Sequence, residues 1–169
     1  MKKSLKELLP YIIILIVVIL IKIFIVSPIL VNGTSMYPTL HNKDLMILNK
    51  YKYRMQKIKR FDIVVVDYAE SEYLIKRVIG LPGEVIEYKN NILYVNGKEV
   101  KENFKHKNTA DFSLEYLNVK KIPKDSYLVM GDNRTNSLDG RVLGFISKEE
   151  IMGSANLTLF PFNRIGMKK

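Results

Sequence analysis

A serine hydroxyl becomes a nucleophile only when a neighbouring group can take its proton. Ser35 stands in the stretch "GTSMYPTL", a few residues past a long apolar run. Two kinds of base are available to it. The chain has 2 histidines, His41 in the polar turn "LHNKD" and His106 in an irregular basic stretch. Either could complete a Ser-His-Asp arrangement, given convergence in space. The other base is Lys76, in "YLIKRVIGLPGE". Alternation along a strand puts Leu74, Lys76 and Val78 on one face and Tyr73, Ile75, Arg77 and Ile79 on the other. A lysine between apolar neighbours loses hydration, which disfavours its ammonium form and lowers its pKa. Arg77 is flanked in the same way, but a guanidinium keeps its proton in a protein. The competing reading is an ion pair of Lys76 with Asp62, Asp67 or Glu84 on the sheet.

A third segment is dense in polar groups. "MGDNRTNSLDGRVLG", residues 130–144, holds Asp132, Asn133, Arg134, Ser137, Asp139 and Arg141. Small polar groups and opposite charges at such density suit a rigid, hydrogen-bonded loop that props up another part of the molecule. A calcium loop is the alternative. The oxygen spacing does not match that of an EF-hand, and two arginines sit among the acids.

The elements that must position these residues are mostly strands. "DLMILN", "FDIVVVDY", "YLIKRVIG" and "EVIEY" alternate with period two and are rich in Ile, Val and Tyr. "NILYVNGKEV" predicts a hairpin, because Asn96-Gly97 suits a type I′ turn. "DSYLVMGDN" and "GSANLTLFPF" supply later strands. "SKEEI" predicts one helical turn, with Ser147 as N-cap and Glu150 at its third position. Residues 101–121 lack a clear period and are expected to form an exposed excursion.

Ahead of these strands, "YIIILIVVILIKIFIV" carries only Lys22 as a charge. With Leu8, Leu9 and Pro10 the run covers residues 8–26, close to the ~20 residues a helix needs to cross a bilayer. Lys22 can snorkel toward an interface, and Pro10 fits a first turn. A cleavable leader would have a shorter apolar core followed by a small-x-small site, and "SPILVNGTS" offers none. A buried core helix is the other alternative. Lys2, Lys3 and Lys6 precede the run and no Lys or Arg occurs in 27–41. The positive-inside rule therefore places residues 1–7 in the cytoplasm, a transmembrane anchor at 8–26, and residues 27–169 outside. The expected fold is mainly β: an N-terminal transmembrane helix followed by a compact antiparallel β domain.

The net charge of +10 is spread along the chain. It suits attraction to anionic lipid or wall polymer, or a solvated surface. The sequence carries no zinc-ligand spacing, helix-turn-helix signal or aromatic RNA-binding strand, so nucleic acid is not an expected partner. The absence of cysteine is compatible with an outside location without disulfides.

Taken in order, the three polar segments resemble the type I signal peptidase family, membrane-bound serine endopeptidases that remove signal peptides from exported proteins. The resemblance spans essentially the whole chain and is closest to the compact Gram-positive form. "GTSMYPTL" is similar to the nucleophile box, which implies Ser35 as nucleophile and its backbone N–H as an oxyanion donor. "YLIKRVIGLPGE" is similar to the lysine box, which implies Lys76 as general base. "GDNRTNSLDGR" is similar to the third signature. It implies that Ser137 hydrogen-bonds the lysine while Asp132, Asp139 and Arg141 brace the site.

The resemblance further implies preprotein signal peptides as substrates, cut after small residues of Ala-x-Ala type. Membrane lipid and the secretion machinery are the implied partners, and neither metal nor cofactor is needed. The chain departs from the pattern at three places. Gly33 stands where some members have an oxyanion-binding serine, Gly140 where serine is common, and Phe61 where glycine often precedes the strand. Met36 and "SPILV" are expected against lipid, substrate or core. Two rivals are a cytoplasmic autopeptidase of the SOS-repressor type and a non-catalytic, membrane-tethered basic β domain that binds lipid or wall polymer.

Overall fold

The computed structural model describes residues 2–69 and 72–168, without the side chains of residues 2–6, 21, 23, 54 and 55. A helix, α1, spans Lys2–Phe24, with Pro10 inside it. It ends before Val26, because residues expected at the end of an anchor form strand β1 (Val26–Leu30) instead. Pro28 has no N–H to give a ladder, which suits β1 to the sheet edge it occupies. Among the described residues no helix is long and apolar enough to cross a membrane.

Among the described residues eleven further strands follow: β2 (Leu45–Asn49), β3 (Ile63–Ala69), β4 (Glu72–Gly80), β5 (Ile86–Lys89), β6 (Ile92–Val95), β7 (Lys98–Val100), β8 (Phe112–Ser113), β9 (Ser126–Met130), β10 (Ile146–Ser147), β11 (Ile151–Phe160) and β12 (Gly166–Met167). They build two antiparallel sheets. The larger runs β1-β2-β11-β3-β4-β9-β10, with β12 on the free side of β11; the smaller runs β7-β6-β5-β8. The mainly antiparallel β domain expected from the alternating segments is thus present. The hairpin turn is too: Asn96 and Gly97 both have positive φ, 51° and 77°, as a type I′ turn requires.

Two local expectations need correction, and a third is decided between its alternatives. "SKEEI" forms no helix, yet its capping bonds are made: Ser147 N–H donates to Glu150 Oε2 at 2.7 Å and Glu150 N–H to Ser147 Oγ at 3.4 Å. The reciprocal bonds close a turn between β10 and β11 instead. Residues 101–121 are not simply exposed, since Thr109, Phe112 and Leu114 are buried against the smaller sheet. Met36, Ile29 and Val31 belong to the core with Leu40 and Met46, and of "SPILV" only Pro28 and Leu30 face outward.

Lys76 and Arg77 share β4, which is buried over most of its length. The β3 register places Val64 opposite Lys76 and Ile63 opposite Arg77. Leu74 and Val78 join one apolar cluster, Ile75 joins a second, and Ile79 joins the cluster under the smaller sheet. The alternation read from the sequence therefore holds. Gly153 on β11 lies so close to β2 that a Cβ there would collide with the backbone carbonyl of Asn49. Gly153→Ala is expected to lower stability by about 1–3 kcal/mol through overpacking. Denaturant unfolding of the detergent-solubilised protein measures it.

Candidate active site

Ser35 lies in a turn whose exit is pinned from several sides. Leu40 N–H donates to the Met36 carbonyl at 2.9 Å, and the buried Asp44 carboxylate accepts from His41 N–H at 2.9 Å. Arg164, 120 residues further on, donates to the same carboxylate through Nε at 3.0 Å and Nη2 at 2.6 Å. Ahead of the serine, Gly33 adopts φ 91° and gives its N–H to Asn42 Oδ1 at 3.0 Å. A glycine serves here because few side chains tolerate that backbone conformation. Among the described residues, no acceptor takes the Ser35 N–H.

The Lys76 Nζ and the Ser35 Oγ are hydrogen-bonded at 2.7 Å. Lys76 is 2% exposed. Burial lowers its pKa to about 8, against the opposing pull of the Asp139 and Asp132 carboxylates. Two of the three ion-pair alternatives for this lysine are occupied elsewhere, Asp62 by Lys52 and Glu84 by Arg60, and the third, Asp67, is exposed. Neither histidine bonds to the serine. His41 packs edge-on against Tyr37, and His106 faces Glu102 at 3.4 Å.

The loop after β9 supports this pair from below. Asn133 N–H donates to the Ser35 carbonyl at 2.9 Å and Asn133 Nδ2 to the Thr34 carbonyl at 3.1 Å. Asp139 is fully buried and accepts from Arg141 Nε and Nη2, both at 2.9 Å, and from Gly131 N–H at 2.9 Å. Burial alone would raise the Asp139 pKa, but Arg141 and the Gly131 N–H outweigh it and hold the carboxyl below its usual range. Gly131 has no room for a side chain, since a Cβ would collide with the Ser35 carbonyl and the Ser137 hydroxyl.

Ser137 departs from expectation. Its Oγ is buried and makes no hydrogen bond, to Lys76 or to any other described group. Gly140, where serine is common in the resembled family, packs on β9, and a Cβ there would fall 2.8 Å from the Val129 carbonyl. Phe61 takes φ 71°, which explains why glycine suits that position; its ring packs edge-on against Phe104.

Two supporting arginines escaped the sequence reading. Arg77 is fully buried and grips Asp132 through Nε at 2.8 Å and Nη2 at 2.6 Å. Its Nη1 donates to the Phe61 carbonyl at 2.9 Å, and its guanidinium lies 3.9 Å from the Phe104 ring centre. Arg134 reaches toward the smaller sheet. Its Nε donates to the Gly131 carbonyl at 3.0 Å, while Nη1 bonds Tyr88 Oη and Thr109 Oγ1 and Nη2 bonds Glu102. The only signal for either was an arginine on a buried strand face or in a polar loop, with no partner named by spacing.

Arg77→Leu strands the Asp132 carboxylate in the interior and is expected to cost about 3–5 kcal/mol. Arg141→Ala should cost less, because Arg141 is 17% exposed and water can reach Asp139 once it is gone. Denaturant unfolding of both variants ranks them. Lys76→Met tests burial of the amine. The Lys76 pKa falls from 10.5 unfolded to about 8 folded. Between these values the unfolded chain binds more protons, so the wild-type contribution of this group rises with pH. Lys76→Met should thus be the more stable by about 3 kcal/mol below pH 8, with the advantage shrinking toward pH 10.5.

Comparison with known proteins follows this geometry. Residues 5–160 match the family model described as signal peptidase, peptidase S26. The chain is 43% identical over 159 residues to Signal peptidase I P of Bacillus subtilis subsp. natto, covering 89% of this chain and 86% of that protein. It is 39% identical over 169 residues to Signal peptidase I of Bacillus caldolyticus, covering 94% and 93%. A crystal structure of a signal peptidase I from Enterococcus faecalis V583 superposes with a TM-score of 0.53 at 35% identity, covering 59% of this chain and 97% of that one. The serine turn, the lysine strand and the arginine-braced loop all fall inside the matched residues, and the chain belongs to the signal peptidase family, peptidase S26.

Proposed function

We propose that the protein is a membrane-bound serine endopeptidase that removes N-terminal signal peptides from exported preproteins, cutting after small residues of Ala-x-Ala type. The observation that carries this reading is the 2.7 Å contact between Ser35 Oγ and the buried Lys76 Nζ. Family membership and curated relatives named as signal peptidases I support it.

Neutral Lys76 takes the Ser35 proton as Oγ attacks the scissile carbonyl carbon. The negative oxygen of the tetrahedral species is met by the Ser35 N–H. Collapse breaks the C–N bond, and the Lys76 ammonium returns its proton to the departing amine. The signal segment is left as an ester on Ser35. A water molecule then attacks that ester, Lys76 takes the water's proton, and the C–O bond to Ser35 breaks with Lys76 reprotonating Oγ. Asp132, Asp139 and Arg141 brace the loop beneath the serine. Ser137 stands in the same loop, its hydroxyl buried against Gly131.

The helix α1 is the anchor in this reading. Leu8, Leu9 and every residue from Tyr11 to Leu20 expose apolar side chains. An apolar surface of that length is a liability in water and suits a bilayer. Lys2, Lys3 and Lys6 would hold the N-terminus on the cytoplasmic side, with residues 27–169 outside. Membrane lipid and the secretion machinery are then the natural surroundings.

The deciding experiment incubates the detergent-solubilised protein with a preprotein and sequences the N-terminus of the product. Cleavage directly after an Ala-x-Ala tripeptide is expected. Ser35→Ala should abolish it while the thermal melt stays put. The rate should climb with pH on an acid limb near the lysine's pKa of about 8. Lys76→Arg should be inactive although it keeps the charge, and an active Lys76→Arg enzyme would overturn the dyad.

A further inference from the structure

The rim of the turn after Ser35 has a one-sided charge. Three segments meet there: 31–44, 103–110 and 133–138. Thr39 Oγ1 donates to the Lys105 carbonyl at 3.4 Å, and Lys107 Nζ lies 5.7 Å from the centre of the half-exposed Tyr37 ring. These contacts bring the 103–110 segment over the residues that follow the serine. The carboxylates of these segments and of their direct partners are buried and committed, and exposed Asp111, just past residue 110, is held by the Asn90 N–H. Asp44 binds Arg164, Asp132 binds Arg77, Asp139 binds Arg141, and Glu102 binds Arg134. The cations are not: Lys43, Lys105 and Lys107 are exposed. None of the three segments contributes an exposed acid. Among the described residues, these three segments therefore show a substrate only positive charge, beside an aromatic face.

Chain direction tells which part of a substrate meets this rim. β1 follows directly on α1 and leads to Ser35. A signal segment still seated in lipid approaches the serine from that same side. The residues past the cut must leave on the opposite side, over Tyr37 and the 103–110 segment. We propose that Tyr37, Lys105 and Lys107 form a subsite for the first residues of the mature chain, one that selects for acidic and against basic side chains there. This rests on the peptidase reading above. The selection is a matter of charge between exposed groups, so it is modest and screened by salt.

The test uses the detergent-solubilised full chain and a set of peptides sharing one signal segment and one Ala-x-Ala cut. They differ only at the second and third positions after the cut, which carry Glu, Gln or Lys. Wild type should give kcat/KM in the order Glu, Gln, Lys, with about 3- to 10-fold between the ends at low ionic strength. The spread should collapse in ~1 M salt, where the Debye length is about 3 Å. Lys105→Gln with Lys107→Gln should flatten the order, and Lys105→Glu with Lys107→Glu should invert it, each rate being read relative to the Gln peptide cut by the same variant. An order unchanged in the Glu double variant, or no spread in wild type, overturns this inference and leaves the peptidase reading intact. A Gln peptide that wild type leaves uncut overturns both.

Discussion

Keeping water away from one amine is the constraint on which the rest of the structure depends. Lys76 is useful as a proton acceptor only if its ammonium form is disfavoured, and burial on β4 provides that. The same burial exposes it to the carboxylates of Asp139 and Asp132, which push the other way. Each acid is held by an arginine of its own, Arg141 for Asp139 and Arg77 for Asp132. With their charges balanced at short range, the acids can shape the loop beneath the serine without pinning the lysine in its charged form. Two arginines on the lysine's flanks thus serve an electrostatic end as well as a mechanical one.

Gly131 is where the two sheets meet the serine. Its N–H goes to Asp139, its carbonyl to Arg134, and its missing side chain leaves space for the Ser35 carbonyl and Ser137. Arg134 continues to Tyr88 on β5 and to Glu102 and Thr109 in the segment that covers the smaller sheet. The smaller sheet is therefore coupled to the serine turn through one peptide unit. Residues with no reach to a substrate still fix where the nucleophile stands.

Much of this was legible in the sequence because it was written in local patterns. Period-two alternation located the strands on either side of Lys76, and Asn96-Gly97 announced its turn. The serine, lysine and polar-loop segments were recognisable by residue type. What escaped was non-local. Nothing in "SPILV" shows that β2 will pair with it, and its proline argues against a strand unless the edge position is known. Arg77 and Asp132 are 55 residues apart, and no spacing rule links them. The segment 101–121 hides its buried residues because they cover a sheet irregularly, without the period that regular elements impose. The bond expected between Ser137 and Lys76 depends on a hydroxyl orientation and a loop position of ångström fineness, which residue type does not encode.

The strand β4 carries a final consequence, for the fidelity with which the chain finds its fold. Both faces of β4 are apolar around the lysine, with Leu74 and Val78 on one and Ile75 and Ile79 on the other. Hydrophobicity alone therefore distinguishes poorly between the native pairing and one displaced by a single residue, which would turn every side chain to the opposite face. Such a species would be compact but would offer Ser35 a guanidinium in place of an amine. Two features discriminate against it. Arg77 finds its two-pronged partner only in the native alignment, and Gly80 sits where a Cβ would strike Ile122 and come within 2.8 Å of Ile86 Cγ1. The buried ion pair and the crowded glycine act as a lock and key for strand alignment, so the adjacent cations of "IKRV" are told apart during folding before either is asked to perform.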